Sequence, residues 1–143
     1  MNELPHQPYR LVIPPPILQA MITHARAELP NECCGFLIGK IADEVGVVER
    51  SIPLVNELNS PSEFATEPRS VFEAYRLMRV DANEVLAIYH SHPTSPPIPS
   101  KKDIERNTYG ADIAWIIVGL SEESPNIQAW WLHRIGYRPA AWQ

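Results

Sequence analysis

Two histidines and an aspartate near the middle of the chain have the chemistry and spacing of a metal site. The segment that begins at His90 follows the pattern H-x-H, seven residues, Ser, two residues, Asp, and so contains His90, His92 and Asp103. Two imidazoles and a carboxylate are what a protein offers a catalytic zinc ion, whose fourth tetrahedral position is left for water. A metal ion in such a site makes that water nucleophilic near neutral pH. The segment therefore predicts a hydrolytic metal centre.

An apolar run directly before the histidines must position them. Val85 to Tyr89 contains β-branched and aromatic residues and is typical of a buried strand. Because side chains alternate along a strand, we expect the two histidines on one face, roughly 7 Å apart at the backbone. Pro93 ends the strand because it has no N–H to donate. The proline-rich segment from Pro93 to Pro99 predicts a stiff loop that returns Asp103 to the histidine face.

Ser100 and Asp103 also match the pattern of a helix capping box, in which the serine caps the first turn and the acid returns the hydrogen bond. The residues from Ile104 to Asn107 are compatible with a short helix after them. The capping and ligand interpretations are not exclusive, because an acidic ligand in the first helical turn is still favourably placed relative to the helix dipole.

A hydrolytic metal site also needs a base that is not a ligand, to take a proton from water and pass it to the leaving amine. Glu32, directly before the apolar segment Phe36 to Gly39, is the candidate. Taken alone, Glu32 would be interpreted as a surface carboxylate in a loop. Cys33 and Cys34 are predicted to be small buried strand residues, with a thiol role as the alternative.

Together these residues resemble a known family. The order and spacing, with Cys-Gly-x-Leu-x-Gly after the glutamate and Pro93 after the second histidine, closely resemble the JAMM (MPN-plus, Mov34/JAB-type) metalloprotease domain in its compact prokaryotic form. The resemblance runs from about Leu11 to Leu132, and Asn56, after the predicted strand that ends at Pro53, is a further landmark. Five chemically necessary positions match without a gap: Glu32, His90, His92, Ser100 and Asp103.

The resemblance implies a fold and a set of roles. The fold is α/β (α+β), a single JAMM/MPN domain over residues 1–143 with a mixed curved sheet flanked by helices, in a cytidine-deaminase-like architecture. One Zn²⁺ per chain is bound by His90, His92 and Asp103. Glu32 is the general base and acid, and Ser100 helps to stabilise the oxyanion that develops on the scissile carbonyl.

The same resemblance implies a protein substrate. Family members cleave peptide or isopeptide bonds after the Gly-Gly tail of ubiquitin or a ubiquitin-like protein, and compact prokaryotic members act on ThiS- or MoaD-like sulfur-carrier proteins. An extended tail can bind by adding as a strand to a sheet edge, where main-chain hydrogen bonds hold it. We therefore expect a groove formed by an edge strand near Leu54 to Ser60 and by the Pro93–Pro99 loop.

Two other classes of protein are alternatives to a metalloprotease. A catalytically silent MPN-type scaffold would use the fold for protein binding, but such proteins typically lack the ligands. A zinc-dependent nucleobase deaminase would have H-x-E and a later P-C-x-x-C, whereas His92 occupies the second motif position and the chain has no C-x-x-C.

Length and composition agree with one enzyme-sized domain of 143 residues, of which 45% are hydrophobic. The net charge of −5, with acids and bases interspersed, does not indicate a nucleic-acid partner. The two cysteines are adjacent, which excludes a disulfide framework and favours a reducing compartment such as the cytoplasm. No apolar run is long enough to span a membrane, and Met1 to Pro5 lacks the features of a signal peptide. The oligomeric state is left open.

Hydrophobic periodicity predicts two helices, from Ile17 to Glu28 and from Pro68 to about Val80. His24 lies off the apolar stripe of the first helix and is expected to be solvated, and His6 is expected at the surface. Phe72 and Tyr75 are expected to point inward from the second helix. The predicted strands, besides the one that carries the histidines, are Arg10 to Ile13, Phe36 to Lys40, Val45 to Pro53, Ala114 to Leu120 and Gln128 to Arg134.

Overall fold

The computed structural model describes residues 7–143, so the expectations for Met1 to Pro5 and for His6 lie outside the described residues. The strands are β1 (Arg10–Val12), β2 (Cys34–Ala42), β3 (Val45–Leu54), β4 (Glu84–His92), β5 (Ala114–Gly119), β6 (Asn126–His133) and β7 (Gly136–Pro139). The helices are α1 (Pro15–Ala27), α2 (Pro68–Val80) and α3 (Lys101–Glu105). Helices α1 and α2 both begin with proline, which suits a first turn because the missing N–H has no partner there.

The strands form one mixed sheet in the order β1-β3-β2-β4-β5-β6-β7. The β1–β3 and β4–β5 pairs are parallel, and the other pairs are antiparallel. The predicted α+β class with a mixed sheet and flanking helices is confirmed. Strands β2 and β3, both predicted, form an antiparallel hairpin, whereas β7 was not predicted from the sequence.

The C-terminal tail closes the sheet against its first strand. Leu11 N–H donates to Ala141 O at 3.0 Å, and Gln143 N–H donates to Leu11 O at 3.1 Å. Ala140, which follows β7, donates its N–H to Ala129 O of β6 at 2.9 Å. Because the tail follows the last strand and pairs with β1, the two edges of the sheet approach each other and the sheet is curved.

The sheet separates two clusters of buried apolar side chains. One lies under α1 and includes Met21, Ala25, Leu37, Tyr89 and Trp131. The other lies under α2 and includes Phe36, Met78, Ile88, Trp115 and Leu132. The alternation along β4 puts the two histidines on the α2 face with Ile88, and Ser91 on the α1 face with Tyr89.

Three side chains differ from their predicted environment. Phe72 and Tyr75 are 62% and 44% exposed, because α2 contacts the sheet through a narrow stripe that buries Ala74 and Met78. The prediction that His24 is solvated is also wrong, since its side chain is only 13% exposed.

His24 is held by a buried tyrosine. Its Nδ1 lies 2.8 Å from the Tyr89 hydroxyl, which needs a hydrogen-bond partner beneath α1. The Tyr89 ring occupies the space in which any Cβ at position 35 would lie, so Gly35 is required for this packing. Burial lowers the pKa of His24, although Glu28 opposes the shift.

Among residues 7–143, none of the helices has the length and apolar character needed to cross a membrane.

Candidate functional site

The side chains of His90, His92 and Asp103 converge in the interior at one end of β4. The two Nε2 atoms lie 3.1 Å apart. Asp103 Oδ2 lies 3.2 Å from His90 Nε2 and 3.3 Å from His92 Nε2. All three residues are buried, and their ligand atoms all lie within 4.8 Å of one another, close enough to share one metal ion.

The orientation of each histidine has a local cause. His92 Nδ1 lies 2.7 Å from Pro96 O. Because a carbonyl only accepts, Nδ1 carries the proton in the neutral ring and the Nε2 lone pair faces the other ligand atoms. The His90 ring stacks on Phe64 with centroids 4.6 Å apart and meets the edge of Trp115 at 5.5 Å. The stiff loop after β4 and the aromatic neighbours therefore aim both Nε2 atoms at one point.

Asp103 is the third residue of α3 and a member of a complete capping box. Ser100 N–H donates to Asp103 Oδ2 at 2.9 Å, and Asp103 N–H donates to Ser100 Oγ at 3.1 Å. The same Oδ2 faces both histidines. One conformation of Asp103 therefore completes the capping box and brings the carboxylate to both histidines. The bond accepted by Ser100 Oγ uses a lone pair and leaves the hydroxyl hydrogen to donate.

The electrostatics of the group suit a cation. Burial lowers the pKa of His90, with Asp103 opposing the shift, and so favours the neutral imidazole. Burial alone would raise the pKa of Asp103, but the adjacent histidines and the Ser100 N–H outweigh it and hold the pKa well below its ordinary value. Burial would lower the pKa of His92, yet Asp103 and the Pro96 carbonyl raise it. Two imidazole nitrogens and an ionised carboxylate that converge in this way fit a divalent metal ion.

Glu32 lies in the turn between α1 and β2 and is only 4% exposed. Its Oε1 has no hydrogen-bond partner among residues 7–143. Burial raises the pKa of Glu32 to about 8; His92 opposes this shift and Asp103 adds to it. A buried carboxylate without a partner is costly, and a pKa near neutral suits a group that both accepts and donates a proton.

Two residues that were not assigned a role from sequence hold the Glu32 segment. Ser91 Oγ accepts from Cys33 N–H at 2.8 Å, and Ser91 N–H donates to Cys33 O at 3.2 Å. Asn56 Nδ2 donates to Glu32 O at 3.0 Å. An Asn shortly after a predicted strand is a signal for a turn with side-chain hydrogen bonds, but the partner of Asn56, 24 residues earlier in the chain, had no sequence signal.

Cys33 and Cys34 are buried, as predicted. Burial raises the pKa of both thiols to about 12. Because the thiolate is the reactive form, neither cysteine is suited to a nucleophilic role at neutral pH.

A cavity of about 280 Å³ opens beside Asp103. Its apolar lining includes Phe64, Tyr109 and Trp115. At its rim, Glu63 forms ion pairs with Lys102 at 3.0 Å and Arg106 at 3.4 Å. An apolar cleft with a charged rim beside a candidate metal site is a suitable place for a ligand to bind.

Comparison with known protein families agrees with this geometry. The sequence profile of a family described as prokaryotic homologs of the JAB domain matches residues 14–133. The chain belongs to this family. The predicted resemblance to a compact prokaryotic JAMM/MPN protein is thereby confirmed, and the seven-stranded sheet with its three helices is a JAB domain.

Curated proteins with related sequences have names that describe peptidases. The JAB-domain chain is 37% identical to the CysO-cysteine peptidase of Mycobacterium tuberculosis over 101 residues, which covers 70% of this chain and 67% of that protein. It is 36% identical to a desampylase of Pyrococcus furiosus over 120 residues, which covers 84% and 79% of the two chains. It is also 34% identical over 96 residues to a probable TtuB-protein conjugate cleaving protease of Thermus thermophilus, covering 66% and 62%.

Solved structures share the fold. A solution structure of a Desulfitobacterium hafniense protein superimposes with a TM-score of 0.86 at 30% identity, covering 93% of this chain and 91% of the other. A Salinibacter ruber protein superimposes with a TM-score of 0.67 at 26% identity, covering 92% and 90%.

Proposed function

We propose that this JAB-domain protein is a zinc peptidase that hydrolyses the peptide or isopeptide bond after the C-terminal Gly-Gly tail of a ubiquitin-like or sulfur-carrier protein. The observation that carries the proposal is the buried group of two imidazoles and one carboxylate. Beside it, Glu32 interacts electrostatically with His92 and Asp103, and its Oε1 has no hydrogen-bond partner among residues 7–143. The names of the related proteins support a hydrolase that acts on peptide or isopeptide bonds in conjugates of this kind.

His90, His92 and Asp103 would hold the zinc ion. When bound there, zinc supplies Lewis acidity that lowers the pKa of a water molecule and polarises the scissile carbonyl. The Pro96 carbonyl keeps the His92 ring in the tautomer with a free Nε2. The capping box holds the Asp103 carboxylate in place, so ligand orientation is set before substrate binds.

Glu32 and Ser100 would move charge during the reaction. The Glu32 carboxylate takes a proton from the attacking water and returns it to the nitrogen of the leaving amine, as a general base and then a general acid. The Ser100 hydroxyl donates to the oxygen on which negative charge develops. Glu32 is buried and Ser100 is half-buried, and the limited access of bulk water strengthens these interactions.

The predicted edge strand at Leu54 to Ser60 is wrong. Strand β3 ends at Leu54, and Val55 is already bonded internally, through its N–H to Ser70 Oγ and its C=O to the Glu67 N–H.

We place the substrate tail instead along Thr66. Thr66 faces Asn56 in an antiparallel bridge. The backbone hydrogen bonds on both sides of this bridge are made by the neighbouring residues. The backbone N–H and C=O of Thr66 therefore point away from Asn56. Thr66 also lines the cavity, where an extended tail can pair with it.

Replacing Thr66 with proline tests this groove. Thr66→Pro removes the outward N–H, and we expect KM for a Gly-Gly-tailed substrate to rise about 10-fold, the cost of one hydrogen bond of about 1.4 kcal/mol. Zinc content should not change. Thr66→Val is the matched control, because it keeps the N–H and loses only the hydroxyl that contacts Tyr109. Equal KM values for the two variants would contradict pairing along this edge.

The proposed activity is tested with a ubiquitin-like protein that is extended beyond its Gly-Gly tail. We expect zinc-loaded wild-type protein to release the extension, and a chelator to stop the reaction until zinc is restored. Release without dependence on metal contradicts the zinc mechanism. Zinc bound without cleavage of any tailed substrate, peptide-linked or isopeptide-linked, favours the catalytically silent scaffold.

A further inference from the structure

A single amide side chain joins the Glu32 segment to the loop beside the cavity. Asn56 Nδ2 donates to Glu32 O at 3.0 Å and to Glu63 O at 3.1 Å. Asn56 Oδ1 accepts from the N–H groups of Leu58 and Ala65, each at 3.1 Å. Two donors and two acceptor positions are the full capacity of an asparagine amide, so every hydrogen-bonding position of this side chain is used.

The same loop, residues 56–66, contacts the Glu32 segment and the candidate metal site at two further points. Glu32 N–H donates to Ser60 O at 2.8 Å, so both backbone polar groups of Glu32 are bonded to loop 56–66. Phe64 of this loop stacks on His90, and Thr66 carries the edge proposed for the substrate tail. The base, one metal ligand and the groove therefore all contact one loop. The side chain of Asn56 forms hydrogen bonds with residues near both ends of this loop.

We propose that Asn56 is a positioning residue that keeps Glu32 and loop 56–66 in one relative arrangement, so that the general base and the substrate groove are set together. This inference rests on the proposed function for the roles of Glu32 and of the groove. The requirement is specific to an amide. Aspartate has nearly the same shape and keeps both acceptors, but it loses both donors and turns a carboxylate oxygen toward the carbonyls of Glu32 and Glu63.

The kinetic test compares Asn56→Asp with Asn59→Asp. The control adds the same charge to the same loop, at an exposed residue with φ of 47°, a conformation that aspartate also tolerates. We expect Asn56→Asp to lower kcat about 10- to 100-fold through misplacement of the base and to raise KM, while zinc content stays the same. In a Glu32→Gln background, Asn56→Asp should lower kcat no further. A kcat within about twofold of the Asn59→Asp value would overturn the proposal.

Amide hydrogen exchange tests the same connection without any substrate. In Asn56→Asp, the Glu32 and Ala65 N–H groups should both exchange faster than in wild type, whereas Asn59→Asp should change neither. Faster exchange at Ala65 alone would overturn the coupling. Hydrogen exchange does not depend on turnover. It therefore tests whether Asn56 couples Glu32 to loop 56–66 even if the wild-type protein cleaves nothing and the proposed function fails. If Asn56→Asp does not fold, Asn56→Ser, whose hydroxyl is too short to span both segments, is measured in the same way.

Discussion

Glu32→Gln should lower the rate of cleavage about 100- to 10,000-fold while the protein keeps its zinc. This range is typical of the loss of a general acid–base group. Glutamine has nearly the same shape but neither accepts a proton from water nor returns one to the leaving amine. Because Glu32 is not among the three converging ligands, the zinc content should equal that of the wild type. The measurement is turnover and bound zinc on the same samples, with Glu105→Gln, an exposed carboxylate on α3, as the control. Loss of zinc in Glu32→Gln would show instead that Glu32 is a ligand.

The same substitution should stabilise the protein when metal is removed. The side chain of Glu32 ionises near 4.5 in the unfolded chain and near 8 in the folded chain, because burial disfavours the charged form. Between these values the folded state holds a proton that the unfolded state has lost, so the free energy of unfolding falls as pH rises.

Glu32→Gln removes this dependence. We expect the variant to be more stable than the wild type by about 1–3 kcal/mol near pH 8, the cost of an unsatisfied buried group, and nearly equal to it near pH 5. Chemical denaturation in the presence of a chelator at the two pH values measures the difference. Parallel pH dependences for the wild type and Glu32→Gln would contradict the burial argument. An increase in stability with a loss of activity is the trade-off expected of a functional residue.

Asp103→Asn should abolish zinc binding at working concentrations and cleavage with it. Asparagine fills the same space, but it removes the negative charge that balances the cation. Loss of a partner that merely orients a ligand costs about 10- to 100-fold in metal affinity, and loss of a ligand should exceed this. Competition with a chelating dye measures the affinity, and Glu105→Gln again controls for the loss of one charge on α3. Wild-type zinc affinity in Asp103→Asn would remove Asp103 from the ligand set.

Replacing the two carboxylates, Asp103 and Glu32, should change the stability of the metal-free protein in opposite directions. The pKa of Asp103 is held below its ordinary value, so its ionised form contributes stability at neutral pH that is lost as pH falls through the acid range. Asp103→Asn should therefore lower the free energy of unfolding near pH 7 by about 1–3 kcal/mol, whereas Glu32→Gln raises it. The same sign for both substitutions would contradict this electrostatic description of the site.

Local periodicity accounts for much of what could be predicted. The alternation of side chains along β4 and the proline after it placed both histidines on one face, and the Ser–Asp spacing predicted the capping box that the structure contains. Helices α1 and α2 were predicted to within about two residues, because each has a proline near its start and an apolar stripe. These features depend on neighbours within a few residues, which is the range over which a sequence pattern carries information.

Environments set by distant partners were not predicted. His24 was expected in solvent, yet it contacts Tyr89 on another element. The edge near Val55 was expected to be open, but the residues around Thr66 return to pair there. The tail after β7 pairs with β1, and no local pattern indicates that contact.

The candidate donor set and its chemistry could be predicted from the sequence, because residue types and the spacing around one strand are local properties. The burial of the Glu32 carboxylate, its raised pKa and the hydrogen bond from Asn56 to the Glu32 backbone are visible only in the folded molecule. Burial and long-range hydrogen bonds are properties of how elements pack, and no segment of the chain specifies them alone.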